Sequence, residues 1–189
     1  MKYLDNKILY MITYTDTTYM YHDFITIEEQ SILKDWAIEN EDMLVPNLAG
    51  PNRKFNRLDN IGNLPELIST IRQRIIAHED IKVVAEAPQN GDWLGMQGEG
   101  AFVEPHRDYN GTSYYFYTRR YNLLLSLPES GGQPIYGNEV IPVKERTLWR
   151  CDAGLVTHSS VPNVGINRRI NLSFGFLMPI DSQYIVKNR

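Results

Sequence analysis

The 189-residue chain contains a single cysteine, Cys151. One thiol excludes an internal disulfide and any cysteine-rich zinc or iron–sulfur site, so a reducing, cytoplasmic setting is the simplest interpretation. The chain also lacks a long apolar run. Charges and threonines interrupt the N-terminus early, which supports neither a signal peptide nor a membrane span.

An excess of basic residues is absent as well. The chain has 19 lysines and arginines against 23 aspartates and glutamates, a formal net charge of -4. No basic surface for nucleic acid or for an anionic membrane therefore stands out. The hydrophobic content of 42% and the charged content of 22% are ordinary for a globular protein, and the length fits one domain over residues 1–189.

Two helices are predicted in the first eighty residues. The pattern Thr26-Ile27-Glu28-Glu29 is a capping box, and the apolar residues behind it recur at helical spacing over about residues 27–40. A second helix follows, capped by Asn63 and carrying Pro65 in its first turn. Residues 45–63, rich in Asn, Pro and Gly, are predicted to form a loop between them.

The remainder of the chain is a series of short strand-like runs separated by turn signals such as Ser130-Gly131-Gly132. The predicted strands are residues 81–87, 93–104, 112–118, 121–127, 138–143, 147–151, 155–159 and 169–177, with a further strand or hairpin arm at 4–15. This order predicts a mainly β, α+β fold: a double-stranded β-helix (jelly roll) with N-terminal helices packed on one sheet. The helical support would occupy about 1–80 and the jelly-roll core about 81–178.

A metal site is predicted from three residues. His106 and Asp108 lie two residues apart in a run predicted to be extended, so their side chains would project from the same face. His158, some fifty residues later, would add a second imidazole. Two imidazoles and one carboxylate on one side of an ion leave other positions open, an arrangement typical of non-heme Fe(II) sites that react with O2.

A carboxylate anchor is predicted in the last strand. Strand parity sends Arg169, Asn171 and Ser173 to one face, and sends Arg168 with the apolar residues to the other. An arginine beside small polar residues in an apolar strand suits a bidentate grip on a carboxylate. Parity favours Arg169, although the adjacent Arg168 leaves the register open.

These features together resemble the 2-oxoglutarate-dependent Fe(II) oxygenases, and within them the small prolyl-hydroxylase-like members. The resemblance is carried by His106-x-Asp108, by His158, and by an arginine ten or eleven residues beyond His158 in a late strand. It extends over roughly residues 24–178. The doubled arginine departs from the family pattern.

The resemblance implies that His106, Asp108 and His158 hold Fe(II), and that 2-oxoglutarate reaches Arg169, assisted by Ser173 or a tyrosine hydroxyl. Asn171, Arg168 and Tyr121 are further candidates for cosubstrate binding. It also implies a hydroxylase that uses O2 and converts 2-oxoglutarate to succinate and CO2. Retention of Asp108 argues against the related halogenases, which carry a small residue there. The substrate would be a small molecule, a peptide or a protein.

The tyrosine-rich segment 109–121 is predicted to form a wall or lid over the substrate, with one tyrosine at the cosubstrate. The alternative is a hairpin with half-buried tyrosines.

Two other functions stay open: a jelly roll that binds a metal or a sugar without catalysis, and a Zn(II) hydrolase with the same ligands. An anchor such as Arg169 has no purpose in a mere binding module. The hydrolase needs a general base near the ion. The sequence places no Glu or His for that role, although Glu104 stays open.

Overall fold

The computed structural model describes residues 20–46, 52–81, 91–109 and 115–179. The helices are α1 (Ile27–Glu39) and α2 (Glu66–His78), and the strands are β1 (Met20–Tyr21), β2 (Val45–Pro46), β3 (Arg53–Arg57), β4 (Trp93–Gln97), β5 (Phe116–Ser126), β6 (Pro134–Tyr136), β7 (Glu139–Val140), β8 (Leu148–Cys151), β9 (His158–Ser160) and β10 (Arg169–Pro179). No helix within these ranges has the length and apolar character to cross a membrane.

Seven strands form a large sheet in the order β1-β8-β5-β10-β4-β3-β2, and three form a small sheet in the order β7-β6-β9. Neighbouring strands in both sheets run antiparallel. The two central strands, β5 and β10, are eleven residues long and pair along nearly their whole length. The predicted mainly β jelly roll is therefore confirmed.

The large sheet separates two cores. On one face, α1 and α2 pack their apolar residues, such as Leu33 and Ile71, against Leu172 and Phe174 of β10. On the other face, a smaller cluster that includes Leu124 and Trp149 fills part of the space toward the small sheet. The side chains of each strand alternate between these two environments. The predicted packing of the helices on one sheet is confirmed.

The start of α1 is the predicted capping box. The Thr26 hydroxyl accepts a hydrogen bond from the Glu29 N–H at 3.1 Å, and the Glu29 carboxylate accepts one from the Thr26 N–H at 2.9 Å. The prediction for α2 is wrong at its cap. Pro65 occupies the N-cap position without a side-chain hydrogen bond, and Asn63 lies two residues earlier with φ 55°. Asn63 thus turns the chain before the helix begins.

The prediction that residues 45–63 form a loop is wrong. They contain β2, β3 and a 3-10 turn at Leu58–Asn60, and β3 pairs with β4 over its full length. The polar composition of β3 does not predict a strand. Backbone hydrogen bonds to β4 stabilise it instead, and these depend little on its side chains. As a result, the region predicted to be a helical support also contributes β1, β2 and β3 to the large sheet.

Two further strand predictions need correction. The runs 112–118 and 121–127 were predicted to be separate strands, but the described residues form one continuous strand, β5. The run 93–104 is a strand only as far as Gln97. The predicted strand at 4–15 and nearly all of the one at 81–87 lie outside the described residues.

Candidate metal and cosubstrate site

Backbone hydrogen bonds bring the two predicted metal-binding histidines together. His106 is not in a regular strand as predicted but forms an isolated antiparallel bridge with His158, with N–H···O distances of 3.0 and 2.9 Å in the two directions. The Asp108 N–H donates to the Ala153 carbonyl at 2.9 Å, which holds the aspartate beside the bridge. The two imidazole ring centroids are 4.3 Å apart.

The donor atoms of these residues converge on one point. The Nε2 atoms of His106 and His158 lie 3.5 and 3.6 Å from Asp108 Oδ1, and one donor atom from each residue lies within 4.8 Å of the others. Each Nδ1 faces a backbone carbonyl, that of Glu104 at 2.8 Å and that of Val156 at 3.2 Å. An Nδ1–H bonded in this way directs each Nε2 toward Asp108, where a bound metal would replace any proton on that nitrogen. Two imidazoles and one carboxylate thus fit a divalent transition metal.

Arg120 of β5, which was not among the predicted residues, fixes the second oxygen of Asp108. Its Nε donates to Asp108 Oδ2 at 2.7 Å, and its NH1 group donates to the Gly91 carbonyl at 2.6 Å. Oδ1 therefore remains directed at the histidines. Strand parity in β5 offered a signal for this role, because Arg120 shares a face with Asn122 and Leu124, opposite the apolar residues that contact the helices.

The charges at this cluster shift the pKa values of its members. Burial favours neutral Asp108, but the hydrogen bond from His106 and the positive charge of Arg120 outweigh it and hold the pKa of Asp108 well below its usual range. The hydrogen bond to Asp108 raises the pKa of His106. Burial lowers the pKa of His158 to about 4. Asp108 is therefore an anion and His158 a neutral imidazole at neutral pH, which are the protonation states that metal binding requires.

Arg169, the predicted anchor, opens into the same cavity. Arg169 is only 5% exposed, and no carboxylate within the described ranges pairs with it. Its Nε has no hydrogen-bond partner there, and its guanidinium carbon lies 5.8 Å from the centre of the Trp149 ring. Burial lowers the pKa of Arg169 to about 10, so it remains a cation at neutral pH.

The structure places Arg168 on the opposite side of β10 from Arg169. The Arg168 side chain is 44% exposed and forms an ion pair with Glu41, and Arg168 does not line the cavity. Strand parity predicted this separation. Of the two adjacent arginines, Arg169 alone faces the triad formed by His106, Asp108 and His158.

The remaining predicted cosubstrate residues have different positions. Asn171 lines the cavity, and its buried Oδ1 has no hydrogen-bond partner within the described ranges. Ser173 is buried on the same strand face, and its Oγ likewise has no partner in the described residues, but it does not reach the cavity wall. Tyr121 lies on the opposite face, contrary to prediction. Its hydroxyl donates to Glu79 at 2.9 Å and its ring contacts Phe176 in the helix-side core.

A tyrosine does enter the cavity, but from β6 rather than from the segment 109–121. The Tyr136 hydroxyl accepts a hydrogen bond from Trp149 Nε1 at 2.6 Å, and its ring lies edge-on to that of His158, with the centroids 6.1 Å apart. Its position close to Arg169 is reflected in the pKa of that arginine, which the phenol group raises against the larger effect of burial. No sequence signal distinguishes this residue, since a tyrosine in a short strand is commonly only a packing residue.

The tyrosine-rich segment does not form the predicted wall within the described residues. Tyr117 is buried on the helix side of β5, where Arg119 donates a hydrogen bond to its hydroxyl. Tyr109 and Tyr115 are exposed, and residues 110–114 lie outside the described ranges. The tyrosines of β5 belong instead to the packing of the sheet.

A cavity of about 390 Å³ contains the triad and the anchor. Its polar lining includes Arg53, Gln97, Glu104, Arg120, Asn122, Ser160, Arg169 and Asn171, and its aromatic lining is Phe55, Trp93, Tyr136 and Trp149. The small sheet contributes one wall through β6 and β9, and the large sheet contributes the floor. A cavity of this size accepts a small dicarboxylate together with part of a second ligand.

Neither protein-family models nor curated proteins match this chain. Solved structures do. The viral collagen prolyl hydroxylase of Paramecium bursaria Chlorella virus-1, in complex with 2-oxoglutarate, matches with a TM-score of 0.62 and 13% identity over 87% of this chain and 97% of that one. HygX of Streptomyces hygroscopicus, with nickel, 2-oxoglutarate and hygromycin B bound, matches with a TM-score of 0.65 and 10% identity over 94% and 88%.

A third match is the prolyl hydroxylase of Trichoplax adhaerens in complex with a peptide of hypoxia inducible factor, with a TM-score of 0.64 and 11% identity over 97% of this chain and 92% of that one. At identities of 10–13% the likeness lies in the fold. This chain therefore has the jelly-roll fold of 2-oxoglutarate-dependent oxygenases, prolyl hydroxylases among them.

Proposed function

We propose that the chain is an Fe(II)- and 2-oxoglutarate-dependent dioxygenase that hydroxylates an unactivated C–H bond. The observation that carries this proposal is the buried Arg169, which has no carboxylate partner among the described residues and opens into the cavity that holds His106, Asp108 and His158. A buried, unpaired guanidinium is costly, and an anionic ligand offsets that cost. A dicarboxylate could bind the metal with one carboxylate and pair with Arg169 through the other.

The metal would be held by Nε2 of His106, Nε2 of His158 and Oδ1 of Asp108. When bound, Fe(II) supplies the reaction with O2 in which 2-oxoglutarate becomes succinate and CO2 and the substrate is oxidised. The protein's own contribution is orientation. The carbonyls of Glu104 and Val156 fix the two imidazole rings through Nδ1, and Arg120 restrains Asp108 to one-oxygen ligation, which leaves several metal positions free.

The far carboxylate of 2-oxoglutarate would pair with Arg169 through two N–H donors. The Tyr136 hydroxyl lies near this arginine and is oriented by Trp149, so it can donate to the same carboxylate. Asn171 adds a buried amide in the same wall. We propose only an indirect role for Ser173, in positioning Asn171, since Ser173 does not line the cavity.

The substrate is proposed to be a small molecule or a segment of a peptide or protein. The structural neighbours include one with hygromycin B bound and one in complex with a peptide, so the fold accepts both kinds. The chain's net charge of -4 gives no support for nucleic acid. The lone buried Cys151 suits a reducing cytoplasm.

An anaerobic titration tests the proposal. Addition of 2-oxoglutarate to the Fe(II)-loaded protein should produce the weak visible charge-transfer band of the chelate. The band should be lost in His106→Ala, and in Arg169→Met it should require at least about tenfold more 2-oxoglutarate. Arg168→Met is the matched control, because it removes the neighbouring charge on the other face and should leave the titration unchanged. A well-folded wild-type protein without the band would contradict the proposal.

A further inference from the structure

A second arginine in the cavity also has no carboxylate partner among the residues that the structure describes. Arg53 of β3 lies directly across from Gln97 of β4, which in turn lies across from Arg169 of β10. Residues directly opposite on antiparallel strands project to the same face. Arg53, Gln97 and Arg169 therefore form a polar row across the floor of the cavity, and all three are among its lining residues.

The other arginines of neighbouring elements are paired. Arg57 on the same strand binds Asp59, Arg72 of α2 binds Asp92, and Arg120 binds Asp108. For Arg53, the described residues contain no such ion pair. Asp108 acts on Arg53 through its negative charge, but its two oxygens are already directed at Arg120 and at the histidines. Arg53 thus presents a partly desolvated positive charge toward the interior of the cavity.

The proposed binding of 2-oxoglutarate does not need the positive charge of Arg53. The two carboxylates of 2-oxoglutarate are matched by the metal and by Arg169. Arg53 lies on β3, at the other end of the polar row from Arg169, and it is close to the ring of Phe55. Its guanidinium carbon lies 6.0 Å from the centre of the Phe55 ring, and the Phe55 and Trp93 rings meet edge to face with their centroids 6.3 Å apart. A cation next to one ring of an aromatic pair suits a ligand that joins an anion to a flat apolar group.

We propose that Arg53, Phe55 and Trp93 form a subsite for the primary substrate and select one that carries a carboxylate or phosphate beside an apolar group. The inference rests on the proposed function in that it assigns Arg169 to 2-oxoglutarate and leaves Arg53 to the substrate. Arg53 is here a specificity residue, with no part in holding the metal.

Calorimetric titration with three probes tests this subsite: phenylacetate, phenyl phosphate and the neutral phenylacetamide. The protein is saturated with Mn(II) and 2-oxoglutarate, so that Arg169 and the metal are occupied. At least one anionic probe should bind about tenfold more tightly than the amide, and whichever anion binds more tightly identifies the group. Arg53→Gln should abolish the preference, and Arg53→Lys should retain part of it.

Arg57→Gln is the matched control, because it removes the same charge from the same strand at a residue already paired with Asp59. It should leave the preference intact. Equal binding of charged and neutral probes by the wild-type protein, or binding of none, would overturn the proposal. So would a tenfold loss of 2-oxoglutarate affinity in Arg53→Gln, which would assign Arg53 to the cosubstrate.

The two proposals fail separately. If Fe(II) and 2-oxoglutarate give no charge-transfer band, the oxygenase proposal fails, and the three probes are then titrated into protein without metal or 2-oxoglutarate. An anion preference that is present in the wild type and lost in Arg53→Gln would uphold the subsite in that case, and its absence would overturn it.

Discussion

At the scale of single residues, the site is defined by which charges are paired and which are not. Asp108 is matched by Arg120 and the histidines, whereas Arg169 and Arg53 face the cavity without a carboxylate in the described ranges. A protein keeps a buried charge of this kind at a cost in stability, and such residues concentrate where ligands bind. Two predictions follow from this distinction, and a third concerns a buried neutral group.

The first concerns Arg169. Arg169→Met replaces an unpaired buried cation with an apolar side chain of similar length, so the free energy of unfolding of the ligand-free protein should rise by about 1 kcal/mol. Urea denaturation would measure the change. A marked fall in stability would mean that Arg169 has a structural partner that its surroundings do not reveal.

The second concerns Arg120. Arg120→Met leaves Asp108 partly buried without its main counter-charge, so the metal-free protein should lose about 3 kcal/mol of unfolding free energy. Saturating Mn(II) supplies a new positive charge to the same carboxylate and should restore part of the loss. Denaturation with and without Mn(II) would test this, and an equal loss under both conditions would contradict it. Asp108→Asn in the same background should recover stability without metal.

The third concerns Cys151. Burial raises the pKa of its thiol above the ordinary value of 9.0, so the folded protein keeps the proton where the unfolded chain loses it. Its contribution to stability is therefore complete below pH 9 and is lost as the pH rises above that value, at no more than about 1.4 kcal/mol per pH unit. Stability measured from pH 8 to 10.5 should fall less steeply in Cys151→Ala. Parallel curves for the two proteins would count against the assignment.

At the scale of elements, strand parity was the most informative property of the sequence. It separated Arg169 from Arg168 in β10, and the structure has the two on opposite faces. Parity failed where the sequence does not show which face of a strand lines the cavity and which packs against the helices. Tyr121 was expected at the cosubstrate but packs under the helices, because the polar face of β5 carries Arg120 and Asn122 instead. β3 was missed altogether, since its stability comes from a partner strand and not from its own composition.

The turns between elements offer a matched pair of glycines. A Cβ on Gly131 (φ 73°) would lie 1.9 Å from the Pro162 carbonyl oxygen, whereas a Cβ on Gly137 (φ 56°) would meet no atom within 4 Å. Gly137→Ala should therefore cost only the strain of a left-handed backbone, about 1–2 kcal/mol. Gly131→Ala must also displace backbone and should cost at least about 3 kcal/mol. Chemical denaturation of both variants would compare them, and equal costs would rule out the steric argument.

At the scale of the whole molecule, the sequence predicted the fold and the convergence of the three candidate metal ligands more fully than the rest of the cavity. These three residues could be predicted because histidines are few in this chain and a His-x-Asp pattern has a defined chemistry. Arg120, Tyr136 and Arg53 were not, since arginines and tyrosines have many ordinary roles and only the folded chain brings these three to one cavity. Their positions depend on pairings between strands that are distant in sequence.

The two ligands should stabilise the whole molecule in a fixed order, with the metal first and 2-oxoglutarate second. Because 2-oxoglutarate is proposed to bridge the metal and Arg169, it should raise the melting temperature strongly only after Mn(II) is bound. At one hundred times its dissociation constant it should add about 2.7 kcal/mol. Thermal denaturation with each ligand alone and with both would measure the coupling, and His106→Ala should remove it. Full stabilisation by 2-oxoglutarate without metal would contradict the bridging arrangement.

The bridge between His106 and His158 has a consequence for how the protein matures. The two residues are joined by a pair of backbone hydrogen bonds that close a loop of some fifty residues. Closing such a loop costs a flexible chain about 3.5 kcal/mol of entropy beyond a constant contribution. The nascent chain therefore has no assembled triad until the strands between the two histidines have folded. For the proposed Fe(II) site, metal loading should accordingly be one of the last steps of biogenesis.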